Sequence, residues 1–540
     1  MSQAAVVSIP YMAPLAKPRP TVNPWLVAIT VSMATFMEVM DTSIANVSLR
    51  HIAGNLGASQ SESAWVLTSY LVSNAIILPI SGWLASVFGR KRFYMTCVAL
   101  FTFASLLCGF APSLKWLLFF RILQGIGGGG LAPSEQSILA DTFEPAQRGM
   151  AFALYGMAIV FAPAIGPTLG GFITDNYNWR WIFFINIPVG ILSLILSYRL
   201  VHDSEGAKKE HDAAWRGGLR LDYLGFGLVA LGLGSLQVVL DKGQEDDWLG
   251  SHFIAIFAML AVVGIIGAIV WEVWFAEKPV VDIALMKSGN LAGTMVLMFI
   301  IGFILNATTV LIPQFVQDML GYSAQQAGMI LMPGGFLLMM IFPIAGKLVS
   351  IVQPKWLMMA GLFITAGAVW HMSGFNADVT FHQVAMARVY QVIGLPLFFV
   401  PLNTLAYSNL PPGKNNNASA LMNLMRNLGG SVGIALAVTM LERGTQTNLN
   451  YLSAHLTSFD AAFTDRVSAM VAMFMGQGYS YSDAMNHALA AIFQTVQRQA
   501  TMLAYLQVFR WMSVGCLVVM AVVLTLRKVD LKHKAPSGGH

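Results

Sequence analysis

Apolar residues in this chain come in long runs, set apart by short polar stretches. Fourteen such runs begin near Trp25, Ala64, Phe93, Leu114, Met150, Trp181, Tyr223, Phe253, Leu291, Ala324, Trp356, Ala385, Ala418 and Met502. A helix rises about 1.5 Å per residue, so about 20 residues cross a hydrocarbon layer of ~30 Å. The pattern therefore predicts an all-α polytopic membrane protein. Between the last two runs, residues 442–500 carry polar and amphipathic stretches with no span. That segment is expected either to fold onto the protein surface or to offer a partner a docking platform.

Composition sharpens the picture. Hydrophobic residues make up 56% of the chain and charged residues 11%, against about 25% charged in soluble domains. Most of the surface must therefore face lipid. The net charge of +5 does not indicate nucleic-acid binding, because the basic residues lie between apolar runs and not on one soluble face. Placing both termini in the cytoplasm puts about 20 of the 31 Lys and Arg residues on that side, as the positive-inside rule requires. Arg90-Lys91-Arg92, the loop with Lys208, Lys209, Arg216 and Arg220, and the tail from Arg527 are the strongest inside markers. Four arginines (Arg121, Arg388, Arg426 and Arg510) fall within apolar runs. The first run is too long for a signal-peptide core and is read as a spanning helix. Cys97, Cys108 and Cys516 lie in apolar runs, with no metal-binding or disulfide spacing.

The chain also repeats itself. Arg121-Ile-Leu-Gln124-Gly-Ile-Gly127 returns 267 residues later as Arg388-Val-Tyr-Gln391-Val-Ile-Gly394. Pro79-Ile-Ser-Gly82 returns as Pro343-Ile-Ala-Gly346 at an offset of 264. Repeated halves around a midplane site are the architecture of alternating-access carriers. The expected organisation is a cytoplasmic tail (1–22), a six-helix bundle (23–200), a cytoplasmic linker (201–220) and two inserted helices (221–276). A second six-helix bundle (290–527), containing the 442–500 segment, and a cytoplasmic tail (528–540) complete it.

Charges inside a membrane cost roughly 2.5–3.5 kcal/mol each on insertion scales and mark function. Glu38 and Asp41 share one face of the first helix, three residues apart. Asp41 and Arg121 fall at the same depth, ~10 Å below the outer surface, so they are able to pair. A neighbouring Arg favours the ionised carboxylate and burial favours the neutral one. A movement that alters either balance would switch protonation, so Asp41, Arg121 and Glu38 are candidates for proton coupling. Gln124, Asn306, Gln391 and Asn403 are candidate polar groups of a substrate cavity. Gly166, Pro167, Gly170 and Gly171 suit a close-packed pivot. Gly82, Gly89 and Arg90 suit a tight, charge-anchored turn. The scattered histidines form no HExxH, and no GxSxG occurs, so the chain is not expected to be an enzyme.

These residues resemble the major facilitator superfamily, and within it the fourteen-helix drug:proton antiporters. Gly82-x-Leu84-Ala85 through Gly89-Arg90-Lys91 resembles the superfamily's loop 2–3 signature, and Arg121-x-x-Gln124-Gly125 its helix-4 signature. Gly166-Pro167-x-x-Gly170-Gly171 resembles the exporter signature of helix 5. Asp41-Thr-Ser-Ile-Ala-Asn46-Val and Trp179-Arg-Trp-Ile-Phe-Phe-Ile-Asn186-x-Pro188 are similar to motifs of the drug-exporting branch. The resemblance covers about residues 24–527 and extends to the inner-membrane subunits of EmrAB–TolC-type tripartite pumps. It implies a major facilitator fold of two six-helix bundles plus two helices, in a bacterial inner membrane. It also implies proton-driven export of hydrophobic, often cationic compounds, with antibiotic resistance as the outcome. A periplasmic adaptor and an outer-membrane channel would be partners, the proton gradient would supply the energy, and no cofactor is expected. Two positions depart from the family pattern: Ser86 stands where an acid is usual, and Arg50 where helix 1 commonly ends in proline. A dedicated exporter of one endogenous metabolite, such as a fatty acid or a siderophore-like product, fits the same mechanics. A non-transporting scaffold or sensor would not need the buried carboxylates.

Overall fold

The computed structural model describes residues 22–216, 222–276, 279, 281, 285, 291–408, 410, 414–457 and 459–526. The two terminal tails expected at 1–22 and 528–540 lie outside these residues, apart from Val22, as do Arg220 and the basic run from Arg527. The described residues are helical almost throughout, with no strand among them. In chain order the helices are α1 (Pro24–Leu56), α2 (Gln60–Phe88), α3 (Arg90–Phe110), α4 (Leu114–Gly128), α5 (Leu131–Thr142) and α6 (Pro145–Asn176). They continue as α7 (Trp181–Phe184), α8 (Asn186–Leu200), α9 (Glu205–Arg216), α10 (Tyr223–Lys242), α11 (His252–Trp274) and α12 (Leu291–Leu320). The last six are α13 (Ala324–Leu348), α14 (Pro354–Met372), α15 (Phe381–Ala406), α16 (Asn415–Ser453), α17 (Ala461–Gly476) and α18 (Tyr481–Thr525).

Twelve of the described helices are long and apolar enough to cross a membrane, counting α7–α8 as one. The expected fourteen are compatible with this. The fourth run is divided into α4 and α5 at Gly129-Gly130, and the eleventh is the shorter α14. Helix starts fall within five residues of the sequence expectation except in the last case. There α18 begins at Tyr481, well before Met502.

That exception changes the reading of residues 442–500. The segment is not a loop: α16 runs on to Ser453, α18 starts at Tyr481, and α17 bridges them. A helix of 39 or 45 residues is ~58–68 Å long, about twice the hydrocarbon thickness. The two helices therefore project beyond the bilayer. Val467, Val471, Ala484 and Ala488 form a small core of their own between α17 and α18.

Two seams join the halves. One is α6 on α13, the other α2 on α16. Glycines decide both. A methyl group on Gly149 would meet Val349 Cγ1 at 2.2 Å, and one on Gly346 would meet the Met150 backbone at 2.9 Å. The inserted pair α10–α11 meets at Gly232 and Gly264, where backbones touch. α10 also bridges the second seam: Thr68 of α2 donates to Asp241 Oδ2 at 2.5 Å, and Ser431 of α16 donates to Gln237 Oε1 at 3.0 Å.

Helix ends explain several sequence choices. Gly57 ends α1 in the left-handed region (φ 63°), its N–H returning to Ala53 O. Arg50, in place of proline, leaves α1 unbroken to that point. The proposed turn of Gly82–Arg92 is narrower than expected. α2 continues to Phe88, and Gly89 alone (φ 83°) turns the chain into α3. Gly82 lies inside α2, against the backbone of Asn416 and Asn417 on α16. Arg510 is not buried; it lies exposed on the surface of α18.

Candidate functional site

Asp41 sits on α1 and is 2% exposed; Arg121 on α4 is fully buried. Arg121 Nη1 donates to Asp41 Oδ2 at 2.6 Å, and Gln124 Nε2 donates to Asp41 Oδ1 at 3.1 Å. Asn186, at the start of α8, donates a third bond to Oδ1 at 2.7 Å. The arginine is held in turn. Its Nε donates to Val66 O at 3.0 Å and its Nη1 also donates to Gln124 Oε1 at 2.8 Å. Its guanidinium carbon lies 4.4 Å from the Tyr70 ring centroid and 5.7 Å from that of Phe183. Side chains of α4 and α8 thus converge on the carboxylate of α1, while α2 and α7 hold its arginine. Arg180 fixes the approach of α8 by donating to the last carbonyls of α3, Gly109 O at 3.0 Å and Ala111 O at 2.7 Å.

Glu38 lies three residues before Asp41 and is half-buried. Its Oε1 accepts from Tyr70 Oη at 3.2 Å and Asn74 Nδ2 at 3.1 Å, while its Oε2 has no partner among the described residues. A third carboxylate, absent from the sequence candidates, is Glu135 on α5. It is fully buried and accepts from Ser32 Oγ at 2.5 Å. Arg426 on α16 reaches across the seam to Tyr155, and Asn427 beside it donates to Asn74, the residue that holds Glu38. The rule that flagged Asp41, a charge inside an apolar run, applies equally to Glu135. Asn186 lies within the Trp179–Pro188 motif, but no periodicity ties it to Asp41.

The four polar cavity candidates lie in two settings, three buried between helices and Asn306 half-buried. Gln124, Gln391 and Asn403 are fully buried, and each has a hydrogen bond to a neighbouring side chain. Gln124 belongs to the Asp41 cluster. Gln391 Oε1 accepts from Arg388 Nη1 at 2.7 Å, and Asn403 Oδ1 accepts from Gln136 Nε2 at 3.1 Å. Asn306 donates to Gly302 O at 3.0 Å and packs on Gly430. In this conformation Gln124 and Asn403 satisfy their amides against neighbouring groups, Gln391 Nε2 has no partner among the described residues, and Asn306 is half-buried.

The glycine motif of α6 packs beside the ion pair. A methyl group on Gly166 would stand 2.4 Å from Ser43 Oγ, and one on Gly170 would stand 3.0 Å from Ile44 Cγ2. Gly171 opens instead toward Gln325 of α13, and Pro167 lies against Gly328 of α13. Gly166, Pro167, Gly170 and Gly171 therefore face both α1 and the opposite half.

At the end of the molecule that carries Gly89, polar side chains zip the halves together. Arg90 pairs with Asp141 at the end of α5 and with Glu210 of α9, the latter at 3.4 Å. Asn415 donates to Asp141 Oδ1 at 2.7 Å, and Asn416 donates to Glu210 Oε2 at 3.1 Å. Deeper, Ser137 donates to Asn416 Oδ1 at 2.6 Å, Asn423 to Gln136 Oε1 at 2.8 Å, and Arg426 to Tyr155 Oη at 2.7 Å. Beside Ser86, which carries no acid, α9 docks on the end of α2. Trp215 Nε1 on α9 donates to Val87 O at 3.0 Å, which clamps that helix under α2 and brings Glu210 to Arg90. A polar pocket of about 230 Å³ remains among Arg90, Asp141, Arg148, Ser204 and Glu210. Among the described residues no cluster of His, Cys, Asp and Glu could hold a metal.

Known proteins resemble this chain along most of its length. Multidrug export protein EmrB of Escherichia coli (strain K12) is 35% identical over 516 residues, covering 95% of this chain and 97% of that one. Fatty acid resistance protein FarB of Neisseria gonorrhoeae is 34% identical, covering 92% and 95%. Among solved structures, the proton:xylose symporter XylE superposes with a TM-score of 0.61 at 14% identity, covering 94% of this chain and 97% of that one. Its likeness speaks for the fold alone. The family model described as Major Facilitator Superfamily matches residues 31–434. With its repeated halves and buried ion pair, this multi-pass membrane protein belongs to the Major Facilitator Superfamily.

Proposed function

We propose that this chain expels hydrophobic and amphipathic toxic compounds in exchange for protons, by alternating access between its two halves. One observation carries the reading: a carboxylate buried within the membrane-spanning bundle, Asp41, is the counter-ion of a fully buried arginine. Removing one charge from such a pair costs ~3–5 kcal/mol, comparable to the few kcal/mol that separate two conformations of a carrier. Protonation of Asp41 from the outer face therefore has enough leverage to move α1 against α4. Glu38 and Glu135 extend the set of carboxylates toward the seam with the second half. Opening inward must break the bonds that Asn415 and Asn416 make across the halves to Asp141 and Glu210, the two acids held by Arg90, and Gly166 and Gly170 let α6 pivot on α1.

Likeness to multidrug export proteins supports a bacterial inner membrane, and the charge bias supports cytoplasmic termini, so that the Gly89 end would face the cytoplasm. The projecting ends of α16 and α18, with α17, then stand in the periplasm. Phe459 (97% exposed) and Tyr481 (62%) lie on that projection. An apolar surface of this kind suits a periplasmic adaptor, which would pass cargo to an outer-membrane channel as implied for EmrAB–TolC-type pumps. The proton gradient is the energy source.

The test is substrate-dependent proton release from purified protein, run against a panel of lipophilic cations, neutral dyes and single metabolites. Proton release by several chemically unrelated compounds is expected. Release by one metabolite alone would replace multidrug export with dedicated export. No release by any compound, together with no uphill transport in liposomes under a pH gradient, would make the chain a scaffold or sensor.

A further inference from the structure

The repeat extends to the ion-pair site, with one substitution. Arg121 and Gln124 recur as Arg388 and Gln391, and at the same offset of 267 residues Asp41 recurs as Thr308. The geometry recurs too. Each arginine donates Nη1 to the glutamine Oε1 three residues on, at 2.8 Å in the first half and 2.7 Å in the second. In the first half a carboxylate completes the cluster, taking Arg121 Nη1 and Gln124 Nε2. In the second half hydroxyls take its place. Arg388 Nη1 donates to Thr308 Oγ1 at 3.1 Å and Nη2 to Thr309 Oγ1 at 3.3 Å.

Hydroxyls do not balance the charge. Arg388 is 4% exposed, and among the described residues it has no carboxylate within ion-pair distance. Gln391 is fully buried, and its Nε2 has no hydrogen-bond partner among the described residues. Its counterpart, Gln124 Nε2, is the group that grips Asp41. A buried guanidinium is ordinarily paired, and a buried amide N–H₂ is ordinarily bonded. Both threonine hydroxyls spend their protons on α12 carbonyls, Thr308 on Ile304 O at 2.8 Å and Thr309 on Leu305 O at 2.7 Å. They face Arg388 with lone pairs only and add no donor for an anion. The donors left for an anion are thus the guanidinium and the Gln391 amide, the same pair that holds a carboxylate in the other half. Thr309 is half-buried, which leaves an edge of the cluster open to approach.

We propose that Arg388 and Gln391 form a carboxylate-binding site for cargo, taking the head group of an anionic amphiphile. The first half carries its own carboxylate and handles protons; the second half lacks one and borrows it from the substrate. A planar carboxylate fits because the equivalent cluster already holds one, with one oxygen on the arginine and the other on the glutamine. Apolar side chains of the same bundle, among them Leu311, Ile312 and Val384, supply a dry setting in which one such contact weighs heavily. This inference rests on the efflux reading and names one of its substrate classes.

The experiment uses the full chain in proteoliposomes with an imposed pH gradient and two probes, cholate (a carboxylate amphiphile) and tetraphenylphosphonium (a lipophilic cation). Thr308→Asp rebuilds the first half's ion pair and so folds, but fills the site from within. It is expected to cut cholate transport by about tenfold or more while leaving the cation within about twofold of wild type. Arg388→Gln is expected to raise the cholate KM in the same way. Thr308→Asp protein that moves cholate like wild type overturns the proposal, and so does an equal loss of both probes. A wild type that moves the cation but not cholate defeats this inference alone, whereas one that moves neither defeats the efflux reading beneath it. Wild-type cholate transport set by chloride concentration, with no competition from a second carboxylate amphiphile, marks a chloride site and also overturns it.

Discussion

Asp41→Asn isolates the charge at the centre of the proposed mechanism. The substitution keeps size and shape but removes the counter-ion of Arg121, which is fully buried. Three donors, Arg121 Nη1, Gln124 Nε2 and Asn186 Nδ2, converge on the Asp41 oxygens at 2.6–3.1 Å. An amide offers one oxygen to them and turns its own N–H₂ against the rest. Breaking a buried pair from one side costs ~3–5 kcal/mol. At ~2–4 °C per kcal/mol for a unit of this size, the unfolding midpoint in detergent should fall by ~6–20 °C. Arg121→Gln in the Asp41→Asn background removes the orphaned cation and should recover more than half of that loss, because the remaining groups are neutral and hydrogen-bonded.

The same protein tests coupling. Asn mimics a permanently protonated Asp41, so substrate addition should release no proton, while ligand binding persists within about tenfold of wild type. A double-mutant cycle over thermal stability and proton release measures both effects in one set of four proteins. An Asp41→Asn protein as stable as wild type, releasing protons at the wild-type rate, would refute the whole chain from buried ion pair to proton switch.

Other consequences follow from the same contacts. Glu135→Gln keeps the Ser32 hydrogen bond, so stability should change by no more than ~1 kcal/mol, but protons released per substrate should fall; an unchanged ratio removes Glu135 from the relay. Gly166→Val places a Cβ 2.4 Å from Ser43 Oγ, and overpacking of ~1–3 kcal/mol should appear as slowed transport in folded protein. Burial pushes Glu210 up to about 7 from 4.5, against the pull of Arg90. The closed latch therefore holds a proton more tightly than an exposed Glu210 would, and this contribution is full below 4.5 and lost as pH rises through about 7. Cross-linking across the Gly89 face should weaken over that interval, and Glu210→Gln should flatten the profile. Replacing residues 456–480 with a short linker should abolish co-purification with an adaptor and leave liposome transport intact.

Much of this fold was legible because a membrane imposes one strong rule, that backbone groups pair within helices. Length and hydropathy then located nearly every span. The miss at α18 has a physical reason. Residues 481–501 are exposed and polar in part, so hydropathy began counting only where lipid begins, while the helix itself had started earlier. Asp41 and Arg121 were legible through expense and depth. Asn186 was not, because its contact depends on how α7 and α8 pack against α3. Glu210 was hidden for a different reason: its contact with Arg90 depends on α9 docking against α2, and no spacing rule links those two helices.

The two halves have diverged in charge while keeping their backbone. Among the described residues the spanning helices of the first half hold Asp41 with its partner Arg121, and Glu38 and Glu135; those of the second hold Arg388 and Arg426, with Arg426 bonded across the seam to Tyr155 and its neighbour Asn427 bonded to Asn74, which holds Glu38. On the proposed mechanism, protonating Glu38 or Glu135 removes an attraction between halves as well as a local charge. Asp41 cannot serve that purpose, since its charge is already spent on Arg121 in its own half. The carboxylates thus divide by position. Asp41 sets the shape of the first bundle, and the other two set how firmly it holds the second. A carrier built this way closes tightly when its seam acids are ionised and rocks when they are not. Replacing Arg426 with Gln should therefore loosen the seam most where Glu38 and Glu135 carry charge, and least where they are protonated.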